Sequence, residues 1–247
     1  MNLLGNNPLR ALRERIGAAL GVFAFSVLCC VIGVIMTFVL APGQALEANR
    51  ISRLPLMDAG TVDAASVGDV ILITGILNGQ PTSVSDFIAY GGERWTVRIS
   101  SGVDDDSPSD PTGSWTNVPS VVPELTLNMN GGSVAVHTAK NVRVYGELHD
   151  LEIPAEGTIT AKYNGKPVTD GTVRYHGFED GDLATVYGKK SVNGGVDPEQ
   201  LFAGDRTAFE ESQHQATTGF LYSGICMFIL APLILVGGLF AVVFKRR

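Results

Sequence analysis

The chain has 247 residues, a mean hydropathy of +0.19 and a formal net charge of −7. These averages hide two unlike parts, because 24 of the 25 acidic side chains but only 12 of the 18 basic ones lie between two long apolar stretches. An acidic segment repels phosphate, so we expect no nucleic-acid partner. All three cysteines lie inside the apolar stretches, which excludes a disulfide-stabilised domain between them.

The N-terminal residues lead directly into a candidate membrane span. Residues 1–16 are polar, and Arg10, Arg13 and Arg15 lie just before an uncharged stretch of 25 residues, 17–41. A helix of that length is about 37 Å long, enough to cross a hydrocarbon core of about 30 Å. A cleaved signal peptide is the alternative, but its apolar run is typically about 7 to 15 residues long. We therefore predict a cytoplasmic stub over 1–16 and a transmembrane helix over 17–41.

Small residues recur at four-residue spacing along this first span. Gly17 and Gly21 form a GxxxG pair, and Cys29, Gly33 and Thr37 continue the pattern. Small side chains let two membrane helices approach closely, so Gly17, Gly21, Gly33 and Thr37 are the predicted helix-packing residues. The partner is either the second span or a separate membrane protein. Glycine is also simply common in membrane helices, and that interpretation stays open.

The segment 42–204 is predicted to form short strands separated by turns. One short helical candidate, 61–67, ends before Gly68, which suits a C-terminal cap. The strand candidates are apolar or alternate in hydropathy, and several carry a glycine of the kind that marks a bulge where a sheet curls. They are 68–77, 95–100, 118–127, 133–138, 141–146, 158–163, 172–175 and 181–188.

Turn signals between these candidates indicate hairpins. Asn130-Gly131, Asn164-Gly165 and Asp170-Gly171 each lie between two apolar runs and favour two-residue hairpin loops. Short strands at this spacing are typical of an all-β sandwich or barrel. The sequence therefore predicts a mainly β fold, with one extracytoplasmic β-barrel or sandwich domain, OB-like, over 42–204 between two transmembrane α-helices.

A polar, acidic stretch at residues 100–114 interrupts the strands. Its aspartates, Asp104, Asp105, Asp106 and Asp110, are weak candidates for a divalent-cation site. Their spacing does not fit an EF-hand, and clustered aspartates with serine and proline are more often a solvated loop. We therefore predict no metal and no cofactor.

The end of the acidic segment is predicted to be helical. Asp197 followed by Pro198 has the elements of a helix start, with a glutamine in position to complete the cap. From Asp205 onward, no proline or glycine occurs before Gly219. We predict a helical stalk over 205–218 that continues into a second transmembrane helix over 219–244.

Basic residues lie before the first span and after the second. Arg10, Arg13 and Arg15 precede the first span, and Lys245, Arg246 and Arg247 form the tail 245–247 after the second. Lysine and arginine near a span favour the cytoplasmic side, so both termini are predicted inside and residues 42–218 outside a cell membrane. No asparagine begins an Asn-x-Ser/Thr sequon, which favours a bacterial origin.

No motif for catalysis or metal binding is recognisable. His137, His149, His176 and His214 lack a His-x-x-x-His spacing, and neither a Gly-x-Ser-x-Gly elbow nor a nucleotide-binding loop is present. Trp95 is interpreted as an ordinary core tryptophan. We predict no catalytic residue and a chain that is not an enzyme.

Four segments together resemble the GIDE-type, or "beside a membrane", family of domains. They are Arg53-Leu54-Pro55-Leu56, the strand at 68–77, GFEDGDLATVYG at 177–188, and LFAGDRTAFEE before the second span. The family includes mitochondrial membrane-anchored ubiquitin ligases and bacterial and archaeal membrane proteins. The resemblance implies a compact β domain held between two transmembrane helices, with a role in ligand sensing or protein contact. The ligases carry a RING after the second span and this sequence does not, so ligase activity is not expected.

The leading functional hypothesis is a two-pass membrane protein that presents an acidic, non-catalytic β domain as an interaction or structural module, as in an accessory subunit of a membrane complex. Its expected partners are the lipid bilayer and other membrane proteins, or a second copy of the chain. One alternative is an extracytoplasmic sensor of a ligand or divalent cation. A second alternative is a membrane-anchored hydrolase.

Overall fold

The computed structural model of the chain describes residues 8–99 and 111–244. It divides into a helical unit, formed by the segments up to Arg53 and from Glu210 onward, and a β unit, Leu54–Phe209. Two helical stretches, Ala19–Ser52 and Arg206–Gly238, are long and apolar enough to cross a bilayer. The prediction of a β-rich region between two long apolar helices is confirmed.

The first of these stretches is one continuous helical path with a local irregularity. Helix α1, Pro8–Ile35, passes through a π-helical segment, Met36–Leu40, into α2, Ala41–Ser52. The sequence prediction ended the helix at Ala41, but the helical path continues through Pro42, the second residue of α2. Proline has no N–H donor, and the π-helical segment directly before it, in which the Ala41 amide donates to the carbonyl of Met36, is a local change of the hydrogen-bond ladder at this point.

The second stretch is a single long helix, α4, Arg206–Phe244, with Pro232 inside it. Where the two stretches pack, the hydroxyl of Ser26 donates to the carbonyl of Ala231, with a distance of 2.7 Å. A Cβ built on Gly33 would lie 3.1 Å from the carbonyl oxygen of Gly224. The glycines therefore allow a close backbone approach.

The β unit begins with one short helix and continues in twelve strands among the described residues. Helix α3 is Ala59–Ala64. The strands are β1 (Val70–Asn78), β2 (Phe87–Arg98), β3 (Thr112–Val121), β4 (Leu125–Met129), β5 (Gly132–Val136), β6 (Arg143–Gly146), β7 (His149–Ile153), β8 (Thr160–Tyr163), β9 (Lys166–Thr169), β10 (Val173–Glu179), β11 (Leu183–Lys190) and β12 (Val196–Ala203).

The strands form two larger sheets and one separate hairpin. The six-stranded sheet has the order β11-β1-β4-β5-β12-β6, and β11 also pairs with β12. The four-stranded sheet has the order β3-β2-β10-β7, and β8 and β9 form a two-stranded sheet. Most pairs are antiparallel, whereas β12 runs parallel to both β5 and β6.

The core of the β unit is formed by apolar side chains from the six-stranded sheet, the four-stranded sheet and α3. Strand β1 is buried on both sides, with Leu72 on one side and Ile71 and Ile73 on the other, in the core. They contact apolar side chains from both sheets and from α3. The core cluster also contains Leu77, Ile88, Leu125, Leu127, Val134, Val136, Phe178, Val186, Val196 and Leu201.

Two predicted helix-boundary signals are wrong. Gly68 does not cap α3, because the helix already ends at Ala64 and Ala65 is extended. Gly68 instead has a φ of +88° in the turn that leads into β1. The predicted helix start at Asp197 is part of β12, because Pro198 lies opposite Gly188 at a β-bulge, where a missing N–H donor is tolerated.

The hairpin predictions have different outcomes. Asn164 and Gly165 have φ values of +50° and +81° and join β8 to β9 in a two-residue loop, as predicted. Asn130-Gly131 likewise joins β4 to β5. Asp170-Gly171 forms a turn but not a hairpin, because the strands on either side of it belong to different sheets.

Candidate functional site

Two adjoining cavities follow the side of strand β6. The larger has a volume of about 570 Å³ and is lined by residues 91–93, 117–120 and 141–144 together with His176. The smaller has a volume of about 330 Å³ and is lined by residues 144–148, Asp150 and His176. The two cavities share Val144 and His176 and therefore adjoin; together we call them the β6 groove.

An irregularity in the β2–β3 pairing shapes the larger cavity. Tyr90 pairs with Val121 and Gly92 with Val118, so Gly91 lies opposite two residues, Pro119 and Ser120. Such a bulge bends a strand and increases its twist. A Cβ built on Gly91 would have only Val144 within 4 Å, at 3.9 Å. The absence of a side chain at Gly91 therefore keeps the floor of the groove open.

Strand β6 is the last strand of its sheet. Among the described residues it pairs with β12 alone, from Arg143 opposite Gln200 to Gly146 opposite Ala203. The amide of Glu147 donates to the carbonyl of Ala203, and successive residues of a strand direct their N–H and C=O groups to opposite sides, so Arg143 faces β12 and Val144 faces away from it. Within residues 8–99 and 111–244, the backbone of Val144 makes no hydrogen bond to another element. The groove therefore runs beside an open strand edge.

A histidine and an aspartate lie where the two cavities meet. His176 of β10 pairs directly with Asp150 of β7, and the imidazole Nδ1 lies 2.5 Å from the carboxylate Oδ1. The Asp150 side chain is 76% exposed and that of His176 is 36% exposed. In the described part of the chain, Nε2 of His176 has no hydrogen-bond partner. This nitrogen is available to a bound group.

The polar groups of the groove do not form a nucleophile and base pair. Ser120 lines the larger cavity with His176, but no hydrogen bond joins its hydroxyl to the imidazole among the described residues. A general base must reach the proton that it removes, either directly or through one water. Ser120 and His176 are therefore not paired in this way among the described residues.

An aromatic cluster holds one wall of the groove in place. Trp95, which is 2% exposed, packs against Trp115 and Tyr163 with ring centroids 5.1 and 5.4 Å apart. The guanidinium of Arg174 lies 4.2 Å from the Trp115 ring centroid, and its Nε donates to Glu93 at 2.6 Å. Glu93 is thus neutralised and fixed, and the interpretation of Trp95 as a core residue is confirmed.

His137 lies outside the groove and joins three parts of the β unit. Its Nδ1 lies 2.8 Å from Glu124, and its Nε2 lies 2.7 Å from the carbonyl oxygen of Gly194. The hydrogen bond to Gly194 and the Glu124 carboxylate raise the pKa of His137, and together they outweigh the opposing effect of burial. The side chain is 19% exposed.

The predicted site residues fall into three groups. Gly33 and Thr37 lie at the contact with α4, where a Cβ on Gly224 would be 2.2 Å from the Thr37 hydroxyl, whereas Gly17 and Gly21 have no neighbour within 4 Å of a built Cβ. The topology residues Arg10, Arg13 and Arg15 belong to α1. Asp104, Asp105, Asp106, Asp110, Lys245, Arg246 and Arg247 lie outside the described residues.

Within the part of the chain that the structure describes, no three His, Cys, Asp or Glu side chains are grouped to hold a metal ion. The sequence prediction named none of the residues of the β6 groove as site residues. Comparison with protein-family models, with curated proteins and with solved structures finds no match.

Proposed function

We propose that the protein is a two-pass membrane protein whose β unit lies outside the cytoplasm and docks an extended segment of a partner protein in the β6 groove. The two long apolar helices support the membrane part of this proposal. The basic residues outside both spans, and the acidic segment between them, support cytoplasmic termini. The β unit then acts as an interaction module, as in an accessory subunit of a membrane complex.

The arrangement of strands supports an OB-like barrel as the scaffold. Following the pairings from β1 to β4, β5, β12 and β11 leads back to β1, which is the relationship that a closed barrel requires. The closure between β5 and β12 rests on a single residue pair, Val136 and Val196, and a partly open barrel of five strands is typical of OB-folds. We also propose membership of the GIDE-type family, from the sequence resemblance alone.

The observation that carries the docking proposal is an open strand edge beside an open groove. An extended peptide can add to such an edge through main-chain hydrogen bonds, while pockets next to the edge accept alternate side chains. Val144 offers its N–H and C=O groups at this edge, and the cavities above Gly91 and beside Gly146 offer the pockets. The four residues of β6 are about 13 Å long, enough for a short strand of the partner.

Site-specific photo-crosslinking tests this function in cells. A photoreactive residue at Asn117, which lines the groove, should crosslink to a partner protein, and one at Lys166, on the separate β8–β9 hairpin, should not. The variant Gly91→Leu fills the groove without altering a ladder hydrogen bond, and we expect it to reduce the Asn117 crosslink about tenfold or more.

The matched control is Ser114→Leu, which adds the same side chain at an exposed position of β3 outside the groove. This variant should retain the crosslink. Equal crosslinking of both leucine variants and the unmodified chain would show that the groove does not dock a partner.

A further inference from the structure

We infer that the segment docked in the β6 groove is the C-terminal end of the partner chain, and that Arg143 binds its terminal carboxylate. This inference rests on the proposed function and specifies which part of the partner is bound. It comes from the position of an unpaired guanidinium in the larger cavity, next to the open edge of β6.

The guanidinium of Arg143 is held in place by stacking and not by a charge partner. It lies over the ring of Tyr145, 4.4 Å from the ring centroid. That ring is itself fixed, because its hydroxyl donates to Gln200 at 2.7 Å and it packs against Phe202 with centroids 5.2 Å apart. Within residues 8–99 and 111–244, Arg143 makes no ion pair and no side-chain hydrogen bond. Stacking leaves the N–H groups at the guanidinium edge available, and their geometry suits a carboxylate.

The larger cavity, which Arg143 lines, favours an anionic group. Of the described residues that line it, Glu93 is the one carboxylate, and it accepts a hydrogen bond of 2.6 Å from Nε of Arg174. Glu147 and Asp150 line the smaller cavity and not the larger one. Within the larger cavity the charge of Arg143 is therefore uncompensated, and a carboxylate that enters it gains electrostatic energy.

His176, which lines both cavities, donates to a carboxylate only in its protonated form. The ionised carboxylate of Asp150 accepts hydrogen bonds, so Nδ1 of His176 carries the hydrogen of their contact. Its Nε2 then has a hydrogen to donate only when the ring is charged. An arginine keeps its charge throughout the physiological pH range, so Arg143 is the group on which carboxylate binding depends.

The short open edge of β6 favours a chain end over a strand that runs past it. The backbone of Arg143 faces β12, whereas Val144 directs its N–H and C=O groups outward. Farther along, the carbonyl of Gly146 already accepts from the amide of Leu148 at 3.1 Å. A continuous strand would therefore gain main-chain hydrogen bonds from little more than one residue. A chain end gains the same bonds and also a charged contact with Arg143.

The larger cavity also offers apolar surface to the last side chain of the partner. Val118, Pro119 and Val144 contribute to its lining, and Gly91 leaves its floor open. A C-terminal valine would bury apolar surface here while its carboxylate contacts Arg143.

Peptides that differ only at their C-terminus test the inference on the full-length protein in mild detergent. The probes are fluorescein-labelled Gly-Thr-Thr-Val with a free carboxylate and the same peptide as the carboxamide, followed by fluorescence anisotropy. We expect the acid to bind about tenfold or more tightly than the amide. Arg143→Gln should reduce binding of the acid to that of the amide. The control Arg98→Gln alters an exposed arginine of β2 that does not line the groove and should retain the preference.

Equal binding of acid and amide, with loss of both in Gly91→Leu, would overturn the carboxylate inference but leave docking intact. Displacement of the acid peptide by N-acetylvaline as readily as by unlabelled peptide would also overturn it, because the site would then take a free carboxylate and not a chain end. Absence of binding by either peptide would contradict it as well.

Crosslinking in cells separates this inference from the proposed function. The partner peptide crosslinked to a photoreactive residue at Asn117 should be the C-terminal peptide of its protein when it is identified by mass spectrometry. An internal peptide at that position would contradict the carboxylate inference alone, whereas absence of any crosslink at Asn117 would contradict docking itself.

Discussion

The imidazole Nε2 of His137 and the carbonyl oxygen of Gly194 lie 2.7 Å apart, and this contact ties the end of the β4–β5 hairpin to the β11–β12 connection. Because Nδ1 also contacts Glu124, both ring nitrogens face acceptors. Only the protonated ring can donate to both, which is the reason for the raised pKa of His137.

The stability of the β unit should therefore depend on pH through His137. Since the folded pKa is raised, the contribution of the protonated ring is complete below its unfolded pKa of about 6.5 and is lost as pH rises through the folded value. We expect His137→Gln to lower the unfolding free energy by about 1 kcal/mol at pH 6 and by clearly less at pH 9.

Tryptophan fluorescence measures this difference, because both tryptophans of the chain, Trp95 and Trp115, lie in the β unit. The variant His214→Gln alters a histidine of α4 and is the control. The same loss of stability for His137→Gln at both pH values would contradict the proposed role of the protonated ring.

A second prediction compares two glycines in the paired strands β2 and β3. A Cβ on Gly113 would lie 2.1 Å from Cζ2 of Trp95, whereas a Cβ on Gly91 has its nearest neighbour at 3.9 Å. We expect Gly113→Ala to destabilise the β unit by about 1–3 kcal/mol through overpacking, and Gly91→Ala to change its stability by less than about 0.5 kcal/mol. Thermal unfolding of the two variants, followed by tryptophan fluorescence, measures both effects. Equal stability of the two would show that Trp95 moves aside without cost.

The strands that the sequence predicts best are those in which several consecutive residues are apolar. Val70–Asn78 and Leu183–Lys190 carry apolar runs because they contribute directly to the core. By contrast, β7 has the sequence HDLEI and shows no apolar run, because edge strands are commonly protected by charged residues. Local composition therefore predicts the interior strands better than the edges.

The misassigned β12 shows how pairing overrides a local signal. Asp197 and Pro198 match a helix cap in isolation, yet Val196–Ala203 pairs with β11 and β5 and contributes Leu201 to the core. The β6 groove was unpredictable for a related reason. Its walls come from β2, β3, β6 and β10, and the exposed edge of β6 depends on strand order, which no local pattern records.

A third prediction concerns the packing of the two apolar helices. Gly238 faces Val22, and a Cβ on Gly238 would be 3.3 Å from the Val22 Cβ, close to the separation in a disulfide. In a chain whose native cysteines are replaced by alanine, Val22→Cys/Gly238→Cys should form a disulfide on mild oxidation. Adding Gly224→Leu should reduce its yield, because a side chain there would collide with Thr37.

The matched control for this experiment is Gly21→Leu, since a Cβ at Gly21 has no neighbour within 4 Å. It should leave the disulfide yield unchanged. The yield is read from the mobility of the oxidised and reduced chains in a denaturing gel. A strong loss of disulfide with Gly21→Leu and none with Gly224→Leu would contradict this packing, because it would show that the helices contact each other at Gly21 and not at Gly224.

The last prediction tests the membrane topology on which the proposed function depends. Basic residues precede the first span and follow the second, and they favour the cytoplasmic side, so the β unit between the spans should be outside. In a chain whose three native cysteines are replaced, a membrane-impermeant maleimide applied to intact cells should label Lys166→Cys. It should label Asn7→Cys only after the membrane is permeabilised. Because Lys166 lies on the exposed β8–β9 hairpin, access to its thiol is limited by the membrane and not by burial in the fold. Labelling of Asn7→Cys in intact cells, with protection of Lys166→Cys, would place the β6 groove in the cytoplasm and restrict its partners to cytoplasmic proteins.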